Sequence, residues 1–243
     1  MHQYALITGG SRGIGKSIAE YFAKQHFSLI LVANNPDNLS KAKSDILSRY
    51  PYCEIETVSV DFRNPSDIQQ SIKSLLSRYE KIDVMVNCAG ILKSGNTQVS
   101  LNDLTELINT NIISNILICN MVVEKMKVQG FGEVYNLGST AGLEPVSKIA
   151  IYSATKAAIV SYSRSLYDEC LPFRIKVCCL CPSVVDTDMT NDGRIKNDLK
   201  ISPEDLHQAV SFIRKLSPGA AMQMLSIRCT IIDLENSLTT YRE

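Results

Sequence analysis

Short apolar runs alternate along the chain with longer stretches in which apolar residues return every three or four positions. The short runs read as strands: YALIT at 4–8, LILVA at 29–33, EIETVSV at 54–60, IDVMVN at 82–87, EVYNLGS at 133–139, IKVCCLC at 175–181 and LSIRCTIID at 225–233. The longer stretches predict helices over 14–26, over 36–50, from Pro65 onward, over 101–128, and across the segment YSATK at 152–156. Asn35 is placed to cap the second helix, with Pro36 at its first position. Repeated strand–helix units predict a doubly wound, Rossmann-type α/β fold: a parallel sheet of about seven strands with helices on both faces. No linker, repeat or low-complexity segment interrupts the pattern, so residues 1–243 are expected to form one domain. Its substrate loop is expected at about 183–202. Within it the polar segment TNDGRIKNDLK at 190–200 is expected to be the most mobile part, bordering the crevice at the strands' carboxyl ends.

Composition narrows the function classes. Lys plus Arg and Asp plus Glu number 25 each, and no block of like charge stands out, which argues against a nucleic-acid binder. No leader peptide is visible, and no apolar stretch is expected to reach the ~20 residues of a membrane span. A soluble, cytoplasmic protein is the expectation. The eight cysteines are then expected as reduced thiols. Cys178 and Cys181 form a C-x-x-C, but inside an apolar run that reads as a buried strand, so no metal site is expected. His2, His26 and His207 belong to no recognisable constellation.

The chemistry concentrates in two places. The first strand runs directly into TGGSRGIG at 8–15. There Gly9 permits a sharp turn, Gly13 lets the backbone approach a phosphate, and Gly15 lets the following helix pack closely. The helix start then offers free N–H groups to an anion. The second strand ends in Ala33, Asn34 and Asn35, without the acidic residue that holds a ribose 2′-hydroxyl in NAD-selective sites. Asp37 reads as a first-turn helix residue. Arg12 can meet a 2′-phosphate, so charge favours NADP(H) over NAD. The second place is the pair Tyr152 and Lys156, four residues apart and so on one helix face. An ammonium near a phenol stabilises the phenolate, the form left when a tyrosine gives its proton to a substrate oxygen.

With TGGSRGIG at 8–15, Asp61, NCAG at 87–90, Asn111, Ser139 and YSATK at 152–156, the chain resembles the short-chain dehydrogenase/reductase family over essentially its full length. The resemblance implies a catalytic set of Asn111, Ser139, Tyr152 and Lys156. Tyr152 would be the acid in ketone reduction, Lys156 would support it and bind the nicotinamide ribose, and Ser139 would hold the substrate carbonyl. Asn111 would mark a helix opened to seat a proton-relay water. The implied cofactor site comprises Gly9, Ser11, Arg12, Gly13, Ile14, Gly15, Asn34, Asp61, Phe62, Asn87, Ala89, Gly90, Tyr152, Lys156, Pro182, Val185 and Thr187. Asp61 would contact the adenine, and Thr187 the nicotinamide carboxamide.

Three departures from the family pattern stand out. Ser183 follows Pro182 where Gly is frequent, and Gly138 precedes Ser139 where Ser is common, which is expected to widen the pocket floor. The C-terminal section lacks the usual Gly-Gly-rich ending. The look is nearest to 3-oxoacyl-acyl-carrier-protein reductases of fatty acid biosynthesis. That implies an acyl-thioester ketone as substrate, an acyl carrier protein as partner, and a homodimer or homotetramer. Lys125, Lys127, Arg174 and Lys176 could greet such a carrier near the active-site entrance, although Phe131 stands where a basic residue is common. A long-chain ketone reductase of the 3-ketosphinganine type is the alternative, through LVANNPDNL and VNCAG. Another small-carbonyl reductase is a further one. A non-catalytic nucleotide sensor is disfavoured by the presence of Ser139, Tyr152 and Lys156 together.

Overall fold

The computed structural model describes residues 2–240; Met1 and residues 241–243, part of the expected domain span, lie outside the described residues. Seven strands form one parallel sheet: β1 Tyr4–Thr8, β2 Ser28–Ala33, β3 Ile55–Ser59, β4 Val84–Asn87, β5 Gly132–Leu137, β6 Ile175–Pro182 and β7 Met224–Ile227. Their order is β3-β2-β1-β4-β5-β6-β7. All pairings are parallel, with Ala5 opposite both Leu29 of β2 and Val84 of β4. The order reverses at β1, so the crevice beside the carboxyl ends of β1 and β4 is the natural ligand site.

Alternation along the strands builds two cores. Ala5, Ile7, Leu29 and Leu31 face a layer made by α1 Gly13–Lys24, α2 Pro36–Arg49 and α7 Pro203–Arg214, through Ile18, Phe22, Leu39, Ile46, Val210 and Ile213. Leu6, Ile30, Val32 and Met85 face the opposite layer of α3 Pro65–Leu76, α5 Asn115–Gln129 and α6 Ala150–Cys170. Burial on both faces is why these strands read as near-continuous apolar runs. Asn35 caps α2 as expected, accepting from the Asn38 N–H at 2.8 Å.

The predicted long helix is α4 Leu101–Ile108, a π-helical turn Asn109–Ser114, and α5. This corrects one expectation: the continuous stretch Leu101–Gln129 is long and apolar enough to cross a membrane by length and composition. Half of its most apolar window is buried inside the fold, and Ile118, Val122, Val123 and Met126 pack on the sheet layer. Its apolar face is thus a core-helix face.

A second correction falls near the C-terminus. The run 225–233 is not one strand: β7 stops at Ile227 and α8 Thr230–Thr240 begins three residues later. Ile231 and Ile232 pack with Val185, Ile201 and Leu206, which helical spacing allows and strand spacing would not. Helix α7 fills the stretch between the substrate loop and β7, and a capping box of Ser202 and Asp205 starts it.

Candidate active site

The turn after β1 is shaped by glycines that nothing larger could replace without movement. Gly9 has φ +65°, and a Cβ there would lie 3.0 Å from the Ala89 nitrogen. A Cβ on Gly15 would lie 2.3 Å from the Gly9 carbonyl oxygen, so the α1 start packs on the turn itself. Gly13, at φ +52°, leaves room for Thr187. Helix α1 has no acidic residue in its first turn, and no side chain among the described residues caps its start. Its N–H groups and positive dipole end are therefore available to an anion, which suits a nucleotide pyrophosphate. The Thr8 hydroxyl accepts from the Cys88 and Ala89 N–H groups, both at 3.0 Å, and donates to Asn87 Oδ1 at 3.2 Å. Asn87 Nδ2 in turn reaches the Asn115 carbonyl at 3.0 Å. These bonds fix the ends of β1 and β4 to α5.

Ser139, Tyr152 and Lys156 come together along one cavity of about 330 Å³ at the carboxyl ends of β4–β6. Tyr152 and Lys156 lie in α6, both largely buried, with Lys156 Nζ 5.8 Å from the centre of the tyrosine ring. Lys156 Nζ donates to the Leu137 carbonyl at 2.8 Å, which seats the ammonium at the end of β5. The Ser139 hydroxyl accepts from the Ala141 N–H at 3.1 Å and lies 3.4 Å from the Pro182 carbonyl.

Asn111 sits fully buried in the π-helical turn. Its amide brackets Ile91, accepting from the N–H at 2.8 Å and donating to the carbonyl at 2.9 Å, and also donates to Thr155 Oγ1 at 3.1 Å. The side chain thus couples the loop after β4 to the helix that carries Tyr152. The π-helical turn at Asn109–Ser114 is a local opening of the helix at Asn111, the place where the family resemblance put one.

Gly138 differs from expectation. A Cβ there would lie 2.8 Å from Cys181 Sγ and 2.9 Å from Cys179 Sγ. The space is filled from beneath by two thiols, so Gly138 permits close packing rather than a wider floor. The cysteines of IKVCCLC are packing groups: Cys178 joins one core while Cys179 and Cys181 face the other way. Cys178 and Cys181, on opposite faces of β6, cannot converge on one ligand. Ser183 needs no left-handed backbone; among the described residues only His26 and Arg174 are non-glycines with positive φ.

A second cavity, of about 290 Å³, continues from the first. It is lined by Gly9, Ser11, Arg12, Gly13, Asn34, Asp61, Phe62, Ala89 and Gly90, all expected cofactor residues. Pro182 and Val185 line the first cavity, and Ile14 and Thr187 line both. Burial pushes the Cys88 thiol up to about 11, so it lines both cavities as a neutral group.

The second cavity holds groups that the motifs did not single out. Arg63 grips Asp61 in a fork, with Nε–Oδ1 2.9 Å and Nη2–Oδ2 2.8 Å. This holds the Asp61 carboxyl below its ordinary range, and ionised. Thr110 Oγ1 is buried beside the same cavity with no hydrogen-bond partner among the described residues. An orphaned hydroxyl at a cavity wall fits a polar ligand there. Arg12, expected to meet a 2′-phosphate, pairs instead with Asp188 at 3.0 Å.

The substrate loop is tied down more firmly than its polar composition suggests. Val185 bridges to Ile201 at its base, and Ile195 is buried. The buried Lys200 ammonium donates to the Thr190 carbonyl and to Asn197 Oδ1, both at 2.9 Å. Across the first cavity, Arg228 binds Asp233 in a fork and Glu144 at 2.8 Å, joining the segment after Ser139 to α8. The proposed carrier-docking cations are placed elsewhere. Lys127 lies in the last turn of α5 and Arg174 immediately before β6, with Lys127 taken up by Glu124 and Glu169. The length of β6, roughly 20 Å, separates them from the cavity in this chain.

A family model described as short chain dehydrogenase matches residues 3–198. The 3-oxoacyl-[acyl-carrier-protein] reductase of Chlamydia trachomatis is 32% identical over 201 residues, covering 82% of this chain and 81% of that protein. The human 3-oxoacyl-[acyl-carrier-protein] reductase is 30% identical over 193 residues, 79% of each. An L-sorbose reductase from Gluconobacter frateurii, solved with NADPH and L-sorbose, shares the fold at TM-score 0.82 and 24% identity, covering 93% of this chain and 94% of that one.

Proposed function

The chain belongs to the short-chain dehydrogenase family of oxidoreductases, and we propose that it reduces a ketone to a secondary alcohol, reversibly, with NADPH, the ketone being a 3-oxoacyl thioester. The observation that carries the reaction type is the convergence of Ser139, Tyr152 and Lys156 on one cavity that runs into the glycine-lined one. The thioester assignment draws on the two reductases similar over about four-fifths of this chain. It also draws on the apolar wall of Leu92, Val146, Ile149, Val184, Met189 and Ile232.

The nicotinamide, when bound, supplies or takes the hydride. The protein's task is the oxygen. The Ser139 hydroxyl holds the carbonyl oxygen, and Tyr152 gives it a proton as the alkoxide develops. Leu137 takes one of the three Lys156 donors, leaving two for the ribose hydroxyls and for support of the tyrosine oxygen. Asn111 acts by position, fixing the opened helix from which a relay water could reach Lys156. The first α1 turn and Arg12 meet the phosphates, Asp61 the adenine, and Thr187 the carboxamide. The loop at 183–202 covers the substrate. Neither Asn34 nor Asn35 repels a 2′-phosphate, which supports NADPH over NADH. Small residues in α6 support self-association, which light scattering at micromolar concentration would test against a monomer mass.

The direct experiment follows NADPH and NADH oxidation with acetoacetyl thioesters (carrier-bound and coenzyme-bound), long-chain ketones, sugars and quinones. Turnover of the thioesters with NADPH supports the proposal. Turnover of another class alone reassigns the substrate, and nucleotide binding without any turnover refutes the enzymatic reading.

A further inference from the structure

The two cavities are halves of one cleft, and a bridge crosses between them. Ile14, Cys88, Gly90, Thr187 and Met189 line both halves. There the glycine loop meets the loop after β6 twice. A Cβ on Gly13 would sit 3.0 Å from Thr187 Cγ2, and Arg12 Nη1 donates to Asp188 Oδ2 at 3.0 Å. Among the described residues two guanidiniums line the second cavity, and they are held very differently. Arg63 is committed to Asp61 through a fork that uses both carboxylate oxygens. Arg12 has a single contact to Asp188, with the two side chains 66% and 74% exposed. A forked pair gives up its partner reluctantly, whereas an exposed single contact is worth at most about a five-fold change in an equilibrium constant. Arg12 is therefore the cation that an incoming anion can claim.

We propose that Asp188 is a specificity-determining residue that competes with the cofactor's 2′-phosphate for Arg12 and so limits the preference for NADPH over NADH. This rests on the nucleotide reading given above. A site whose cation is already engaged binds its anion with an affinity reduced by the fraction engaged. Only a nucleotide that needs Arg12 meets that competition; NADH, without the 2′-phosphate, does not. Asp188 follows Thr187 directly, so the carboxylate stands beside the residue expected to meet the nicotinamide without being part of the hydride site.

Asp188→Asn keeps the side-chain shape and removes the charge. NADPH and NADH are titrated by nucleotide fluorescence into wild type, Asp188→Asn, Arg12→Met and the double variant, at low and at high salt. The NADPH Kd is expected to fall about two- to five-fold in Asp188→Asn while the NADH Kd stays put. The gain should shrink at high salt and vanish in the Arg12→Met background. An unchanged NADPH Kd overturns the proposal. Equal tightening of both nucleotides, or a gain that survives loss of Arg12, also overturns it, because bulk charge would then be the cause. Weaker NADPH binding overturns it in favour of a strap that closes over bound cofactor. A wild type that bound neither nucleotide would instead remove the nucleotide reading beneath it.

Discussion

Lys156 holds its ammonium 5.8 Å from the centre of the Tyr152 ring, one helical turn along α6, while donating to the Leu137 carbonyl at 2.8 Å. The second contact matters as much as the first, because it anchors the charge to the end of β5 rather than to the flexible end of its own side chain. Lys156→Met keeps the buried stem and removes the donors. Turnover should fall by roughly 10²-fold or more, and the nucleotide Kd should rise. Kinetics with a saturating ketone, alongside fluorescence titration, measure both. A variant with unchanged Kd would take Lys156 out of the ribose site.

Gly15 is the tightest point of the glycine turn, since a Cβ would meet backbone at 2.3 Å. Backbone cannot step aside as a side chain can, so Gly15→Ala must shift α1 away from the turn. The expected cost is about 1–3 kcal/mol in urea unfolding, together with loss of nucleotide binding. Full stability with full binding would show that the turn yields where the packing says it should not.

His207 offers a pH test away from the site. It lies in α7, half-buried against α1, with Ser17 Oγ 2.9 Å from Nδ1 and the Tyr21 ring stacked on it. Burial lowers its pKa below 6.5; Lys24 adds to this, while Glu204, Glu20 and Asp205 oppose it. The unfolded chain therefore takes up the proton first as pH falls. Stability is full above about pH 6.5 and is lost as the pH drops from there through the folded-state pKa. Urea midpoints at about pH 7.5 and 5.5 should drop further in wild type than in His207→Gln. Parallel drops would assign the acid sensitivity to other groups.

Much of this was legible in the chain because its signals are local. The apolar runs of β1, β2, β4, β5 and β6 are buried almost throughout, while the edge strand β3 is only partly so, and the glycine spacing, Asn35–Pro36 and Tyr152–Lys156 each act within a few residues. Asn111 likewise fell in the helix turn that opens. The misses are contacts between distant segments, or local signals outweighed by a stronger pattern. Ser202–Pro203–Glu204–Asp205 is a helix start whose local signal is outweighed by the polar loop beside it. Residues 230–233 look like the continuation of β7 until Ile231 and Ile232 find Val185 and Ile201. Arg12–Asp188, 176 residues apart, has no sequence signature, and neither has the filling of the Gly138 space by Cys179 and Cys181. Lys200 reads as a solvated loop cation, yet it is buried and holds that loop together.

The most direct test of the central claim is single-turnover and steady-state NADPH oxidation by Tyr152→Phe, with nucleotide affinity measured on the same preparation. The change removes one hydroxyl from a buried ring and leaves Lys156, Ser139 and the glycine loop in place. The predicted result is a loss of roughly 10²- to 10⁴-fold in turnover with an NADPH Kd near that of wild type. Near-normal turnover in that variant would contradict the assignment of Tyr152 as the proton donor.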